Sequence, residues 1–307
     1  MKYQLSSWDL SEIKPVNLEF TFQEIEKKTA AIEKQRSSLT EKISVAQFLN
    51  LLRQLEELHL TTSRLGIYAQ LQVTENSANQ EATALSSRVD TFLAKIGNRT
   101  LFFTLWFKSL SETKAAELIR ASRKYHYFFE RIRKNKPYTL QENEEKIISI
   151  KDTTGVSALN SIYNILCSQL EFQFQGKKLR QEELLVFVRD PSAKKREAAY
   201  RTLLAKYQAH KDVIGEIYKN IVNDWREENV HLRSYKNPIH VRNVANDLPD
   251  QAVEALLKVC EQNQSVFHRF FELKRKKLGL KKIRRFDLYA PLQKKKESKI
   301  QYQEAVT

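Results

Sequence analysis

Glycine and proline are scarce in this chain, six of each in 307 residues. Sheet-rich folds need such residues at their turns, so the scarcity argues against all-β and α/β architectures. Cysteine is scarcer still. Cys167 and Cys260 lie far apart in the sequence, form no CxxC and read as two reduced, buried thiols. No run approaches the roughly 18 apolar residues of a membrane span. The opening MKYQLSSWDLSEIKP lacks the apolar stretch of a signal peptide, so the expected compartment is the cytoplasm. There is no P-loop, no GxGxxG and no GxSxG. Among His59, His126, His210, His231, His240 and His268, no two are spaced i, i+4. His126 and Glu130 would share a helix face, but two ligands without a third make a weak metal site. Glu144-Glu145 and Glu227-Glu228 are adjacent, so on a helix each pair diverges by about 100° and suits no acid/base couple.

What the chain does contain suits long helices: 29% charged residues and abundant Lys, Glu, Gln, Leu and Ala. Its length allows one large or two modest domains. The net charge is +15 and is concentrated. Residues 271–299 hold twelve Lys/Arg against Glu272, Asp287 and Glu297, and residues 120–136 hold seven against Glu130. Such patches suit an acidic partner or nucleic acid. No recognised nucleic-acid motif accompanies them, so nucleic acid is disfavoured. Tyr125–Phe129 (YHYFF) beside Arg131 and Arg133 fits a base-stacking platform less well than a core helix face with a basic solvent side.

Hydrophobic spacing predicts an all-α, multi-helix array with one small hairpin and a short strand near the C-terminus. After an extended arm anchored by Trp8, a helix over 19–37 places Phe22, Ile25, Thr29 and Ile32 on one face. Ser44 and Gln47 form a capping box for a long helix carrying Phe48, Leu51, Leu52, Leu58 and Leu65. A third helix starts near Ser77, and Gly97-Asn98 is expected to interrupt it. Ser111 caps the next, which Pro137 stops. Thr139 and Glu142 form a second capping box, Thr154-Gly155 a break, and 156–167 a further helix. Residues 170–179 alternate around Gly176 as a β-hairpin. Asp190-Pro191 opens a helix that continues to Trp225, Asn237-Pro238 marks a loop, and a helix over 249–278 ends at Gly279. Residues 283–289 read as a strand.

Several stretches, taken in order, resemble the oligoendopeptidase F branch of the thimet-type zinc oligopeptidases. They are Trp8-Asp9-Leu10; Leu140 with Glu144-Glu145-Lys146-Ile147; Thr154-Gly155 with Ala158; and Gln175-Gly176-Lys177. They continue with Asp190, Arg196, Ala198 and Tyr200; Arg233, Tyr235, Pro238 and Asn246; Leu278-Gly279-Leu280; and Asp287 through Leu292. The resemblance implies a mostly helical fold around a deep channel and cleavage of short peptides by one zinc ion. In that family the zinc is held by HExxH and a downstream Glu. This sequence contains no HExxH, so no catalytic, cofactor-binding or metal-binding residue is assigned.

The expected organisation is an N-terminal helical domain over 1–110, an oligopeptidase F-type helical domain with the hairpin over 111–185, and the start of a catalytic domain over 186–307. The expected role is the N-terminal part of such a peptidase, walling one side of its channel and inactive alone, with a missing C-terminal half as partner. Residues 298–307 read as a helix start without a stop signal, an expected truncation. Residues 284–307 are therefore expected to be poorly held. The alternative is a helical binding or scaffold protein derived from such an enzyme.

Overall fold

The computed structural model describes residues 8–76, 79–292 and 300. The chain divides into two compact units, one formed by residues 8–162 with 231–234, the other by 163–230 with 235–292.

The first unit is built on three long helices. α1 (Leu18–Glu33) is capped by Asn17, whose side chain accepts from the Phe20 N–H. Phe22, Ile25, Thr29 and Ile32 line its buried face, as their spacing predicts. The capping box at Ser44 and Gln47 is present and opens α2 (Val45–Glu75). α3 (Gln80–Ser109) starts from an Asn79 cap, and Ser77 lies outside the described residues. Gly97-Asn98 does not interrupt it. A Cβ built on Gly97 meets no atom within 4 Å, so that glycine answers no packing need and the helix hydrogen bonds run on.

Ser111 caps α4 (Glu112–Ala121) as expected. The chain then breaks where no break was expected. Arg123 takes φ 49° in a 3₁₀ turn before α5 (His126–Lys134). The break turns Phe129 into the core, where its ring lies 4.5 Å from Phe107 and 5.3 Å from Phe48. Tyr127 and Phe128 stay half-exposed. α6 (Glu142–Thr154) is capped by Gln141 with Glu144, two residues beyond the expected Thr139 and Glu142. The Thr139 hydroxyl is committed elsewhere, donating to the Asn135 carbonyl at 2.8 Å and accepting from Lys108 at 2.7 Å. α7 (Val156–Ser168) follows the break at Gly155.

The second unit contains the hairpin. β1 (Phe172–Phe174) pairs antiparallel with β2 (Lys177–Leu179), Phe172 opposite Leu179. Gln175 and Gly176 both have positive φ, the two-residue turn that matches strand twist. Phe172 and Phe174 point into a core with Leu170, Leu184 and Ala199. α8 (Gln181–Leu185) leads to α9 (Ala193–Ala209). The cap of α9 is Ser192, not Asp190, whose carboxylate instead accepts the Ser192 N–H at 2.7 Å. α10 (Lys211–Arg226) is a separate helix, broken from α9 at His210, and passes into a π-helical turn over Glu227–Leu232.

Asn237 and Pro238 start a helix rather than a loop. Asn237 caps α11 (Pro238–Ala245), and Pro238 occupies its first position. The single helix expected over 249–278 is two, α12 (Asp250–Gln262) and α13 (Gln264–Lys277), separated at Asn263. Gly279, φ 65°, closes α13, with the Leu280 N–H reaching the Arg275 carbonyl at 3.1 Å. The strand expected over 283–289 is absent among the described residues. Arg285–Asp287 is a 3₁₀ turn, because the segment hydrogen-bonds to helix side chains and has no neighbouring strand.

Three smaller expectations also change. Trp8 is about half exposed, so it anchors the arm through its backbone N–H to Glu75 rather than by burial. Cys260 is exposed and Cys167 only part-buried, although both are free thiols. Residues 284–292 are held in place, with Asp287 and Ala290 buried. The remainder of the expected loose segment, 293–299 and 301–307, lies outside the described residues.

Candidate functional site

Residues singled out in the sequence meet one another in the structure. In the first unit Arg233 closes a fork on Glu145, at 2.7 and 2.8 Å, across 88 positions of sequence. Both side chains are about 15% exposed. Arg233 also donates to the Tyr138 carbonyl, and Glu145 accepts the Leu140 N–H at 2.9 Å. Burial alone would push the Glu145 carboxyl upward. The hydrogen bonds from Arg233 and Leu140, with the charges of Arg233 and Lys108, outweigh burial and hold it below the usual carboxylate range. The bidentate geometry suits Arg and would not survive replacement by Lys.

A carboxyl held low in the fold contributes stability above its unfolded pKa, and that contribution is lost as pH falls through its folded value. Glu145→Gln is therefore expected to cost about 1–3 kcal/mol at neutral pH, the range for a part-buried charged hydrogen bond. In urea titrations the gap between wild type and variant should shrink below about pH 4.3, the ordinary Glu value. A gap unchanged down to pH 3 would contradict this assignment.

In the second unit Arg196 on α9 and Asp287 form a buried ion pair of 2.7 Å, with side chains 2% and 3% exposed. Arg196 donates further to the carbonyls of Phe286, Asp190 and Pro191. The second Asp287 oxygen accepts the Arg284 N–H. Lys274 of α13 donates to the Leu288 carbonyl at 2.6 Å, and the Tyr200 and Phe286 rings lie 5.9 Å apart. The 284–290 segment is thus pinned to α9 and α13. Nearby in sequence, His240 Nδ1 contacts the Asp250 carboxylate at 2.9 Å, and Asn243 donates to it at 2.8 Å. Asn243 and His240 hold that carboxyl low, and the contacts tie α11 to the start of α12.

None of this gathers a catalytic metal site. Catalytic zinc needs about three protein ligands and an open position. Within either unit taken by itself, no three His, Cys, Asp or Glu side chains among the described residues converge. His126 and Glu130 bond each other at 3.0 Å and are both about half exposed, an ordinary surface pair. Among the described residues of either unit taken by itself, no ligand set fits the zinc that the resemblance implies.

The first unit does form a groove of about 510 Å³ between the end of α3, the turn after α1 and the start of α6. Leu39, Phe102, Leu105, Trp106 and Leu140 give it apolar walls; Arg36, Lys108, Lys136 and Glu142 give it charge. Sequence reading missed it, since its residues come from three separate stretches.

Comparison with known proteins places these features. The family model for Oligopeptidase F matches residues 106–172. Group B oligopeptidase PepB of Streptococcus agalactiae is 22% identical over 304 residues, 95% of this chain and 49% of that protein. Oligopeptidase PepF of Bacillus subtilis is 21% identical over 253 residues, 79% of this chain and 37% of that protein. Among solved structures, oligoendopeptidase-F from Enterococcus faecium superposes with a TM-score of 0.73 at 19% identity, covering 89% of this chain and 55% of that one. A peptidase structure from Chlamydophila abortus gives 0.65 and covers 98% and 52%. The fold is that of these helical oligopeptidase chains. In sequence and fold the chain is similar to oligoendopeptidase F proteins, and it spans about half the length of the curated relatives it matches. No helix among the described residues is long and apolar enough to cross a membrane.

Proposed function

We propose that this chain forms one wall of the substrate channel of a cytoplasmic, oligoendopeptidase F-like zinc metallopeptidase that cleaves short peptides. The observation that carries the reading is coverage: nearly all of this chain superposes on about half of the Enterococcus faecium enzyme. In this reading residues 1–110 form the N-terminal helical domain, 111–185 the oligopeptidase F-type domain, and 186–307 the start of the catalytic domain. The zinc and the chemistry on it belong to the half that this chain does not match. This chain restricts access and positions the segment around Asp287, which the Arg196 pair holds rigid.

Exposed apolar side chains support the reading. Leu256 and Leu257 on α12, with Phe267, Phe270 and Leu273 on α13, are each half exposed or more. Clusters of that kind mark surfaces that another element covers. The half of such an enzyme that this chain does not match is the proposed cover.

The test is direct. Chain purified without a histidine tag is assayed for zinc and for cleavage of a quenched peptide. Neither stoichiometric zinc nor chelator-sensitive cleavage is expected. Finding both would overturn the assignment of the chemistry to the other half. In sedimentation, the chain should self-associate through its bare apolar helices, and Phe267→Ser with Phe270→Ser should shift it toward monomer. A wild-type monomer at high concentration would favour an independent helical scaffold.

A further inference from the structure

We propose that the groove in the first unit binds an apolar carboxylate, of which the free C-terminus of a short peptide with an apolar last residue is the leading form. The groove's lining lies wholly within that unit, so the proposal does not depend on the peptidase reading.

The volume, about 510 Å³, falls within the range of small-ligand pockets. The charge inside it is unbalanced. Glu142 is already closed by Arg36 at 2.7 Å and by Lys146 at 2.6 Å, so its negative charge is matched by two cations. Lys108 donates to the Thr139 hydroxyl and, among the described residues, forms no ion pair. The nearby Glu145 has both oxygens engaged by Arg233. Lys136 is exposed at the rim and also forms no ion pair among the described residues. Two ammonium groups therefore line an apolar-walled groove without an ion-pair partner of their own among the described residues.

Burial lowers the pKa of Lys108, the Arg233 charge adds to that effect, and Glu145 opposes it. A ligand carboxylate beside Lys108 would supply the missing counter-charge. Phosphate is less suited. The planar fork that matches it best, Arg36, is committed to Glu142 and lies over the Phe102 ring at 5.3 Å. The apolar walls of Phe102, Leu105 and Trp106 instead match an aliphatic or aromatic side chain.

Isothermal titration of the full chain tests this with three probes: acetyl-Ala-Phe-Leu as the free acid, the same peptide as its C-terminal amide, and octanoate. The free acid is expected to bind, and the amide to bind at least about tenfold more weakly. Octanoate matching the acid would assign the site to simple apolar carboxylates; octanoate binding more weakly would assign it to peptide termini. Both support the shared chemistry. Lys136→Glu and Lys108→Met should each weaken binding by about tenfold or more. Lys276→Glu, on α13, is the control and should leave binding unchanged. Lys136 is exposed, so its variant should keep the wild-type melting curve, which keeps the test valid if Lys108→Met folds poorly. The proposal is overturned if the free acid and octanoate both fail to bind at millimolar concentration. Equal binding of acid and amide, or full binding by Lys136→Glu, would overturn it too.

Discussion

Asp287→Asn is expected to cost about 3–5 kcal/mol of stability in the second unit, the loss typical of a buried ion pair stripped of one charge. The substitution keeps the shape of the side chain. It leaves the Arg196 guanidinium, 2% exposed, without a counter-ion in a place water does not reach. Arg196→Met should cost a similar amount for two reasons. It leaves Asp287 unpaired, and it withdraws donors from the carbonyls of Phe286, Asp190 and Pro191. Combining Arg196→Met with Asp287→Leu removes both charges, so the double variant should be more stable than the sum of the two single losses implies. Recovery should be incomplete, because the three carbonyls remain without their donor. Hydrogen exchange is the appropriate measurement, read in residues 284–292 and the first turn of α9. A cost below about 1 kcal/mol for Asp287→Asn, as for an exposed pair, would show that the site is wetter than its burial indicates.

Phe129→Ala is expected to destabilise the first unit by about 3–5 kcal/mol. Phe129 is fully buried and its ring packs against Phe48, Phe103 and Phe107. Removing it deletes a large apolar surface and leaves a cavity walled by rigid aromatic rings, which cannot close around the gap as flexible side chains do. Phe129→Leu, which fills most of the volume, should lose considerably less. Phe128→Ala on the same helix is the comparison, since Phe128 is half exposed and should cost little. Chemical unfolding followed by circular dichroism measures all three. Equal losses at 128 and 129 would contradict the placement of α5.

The first unit shows how much of the fold can be read locally. Phe22, Ile25, Thr29 and Ile32 recur at helical spacing and are buried together. The Ser44 and Gln47 box and the Gly176 turn are also where their sequences place them, because each is decided by neighbours within a few residues. Helix breaks were less legible. Arg123, His210 and Asn263 carry no glycine or proline signal, yet the chain turns at each. Gly97 carries such a signal and does not break. A single glycine costs a helix only about 1 kcal/mol, so local propensity alone does not decide where a helix breaks.

By itself the sequence determined the helical class, the hairpin, most of the buried faces and the resemblance to oligoendopeptidase F. All of these depend on periodicity or on the order of short motifs. Only the tertiary structure decided what the motif residues do. Glu145 meets Arg233 and Arg196 meets Asp287, across 88 and 91 positions. Nothing in the local sequence marks a partner so distant, because a charged side chain on a helix reads as solvent-facing until another segment buries it. The 283–289 segment follows the same logic. It reads locally as a strand, but a strand needs a neighbour to pair with, and here the available partners are the side chains of α9 and α13.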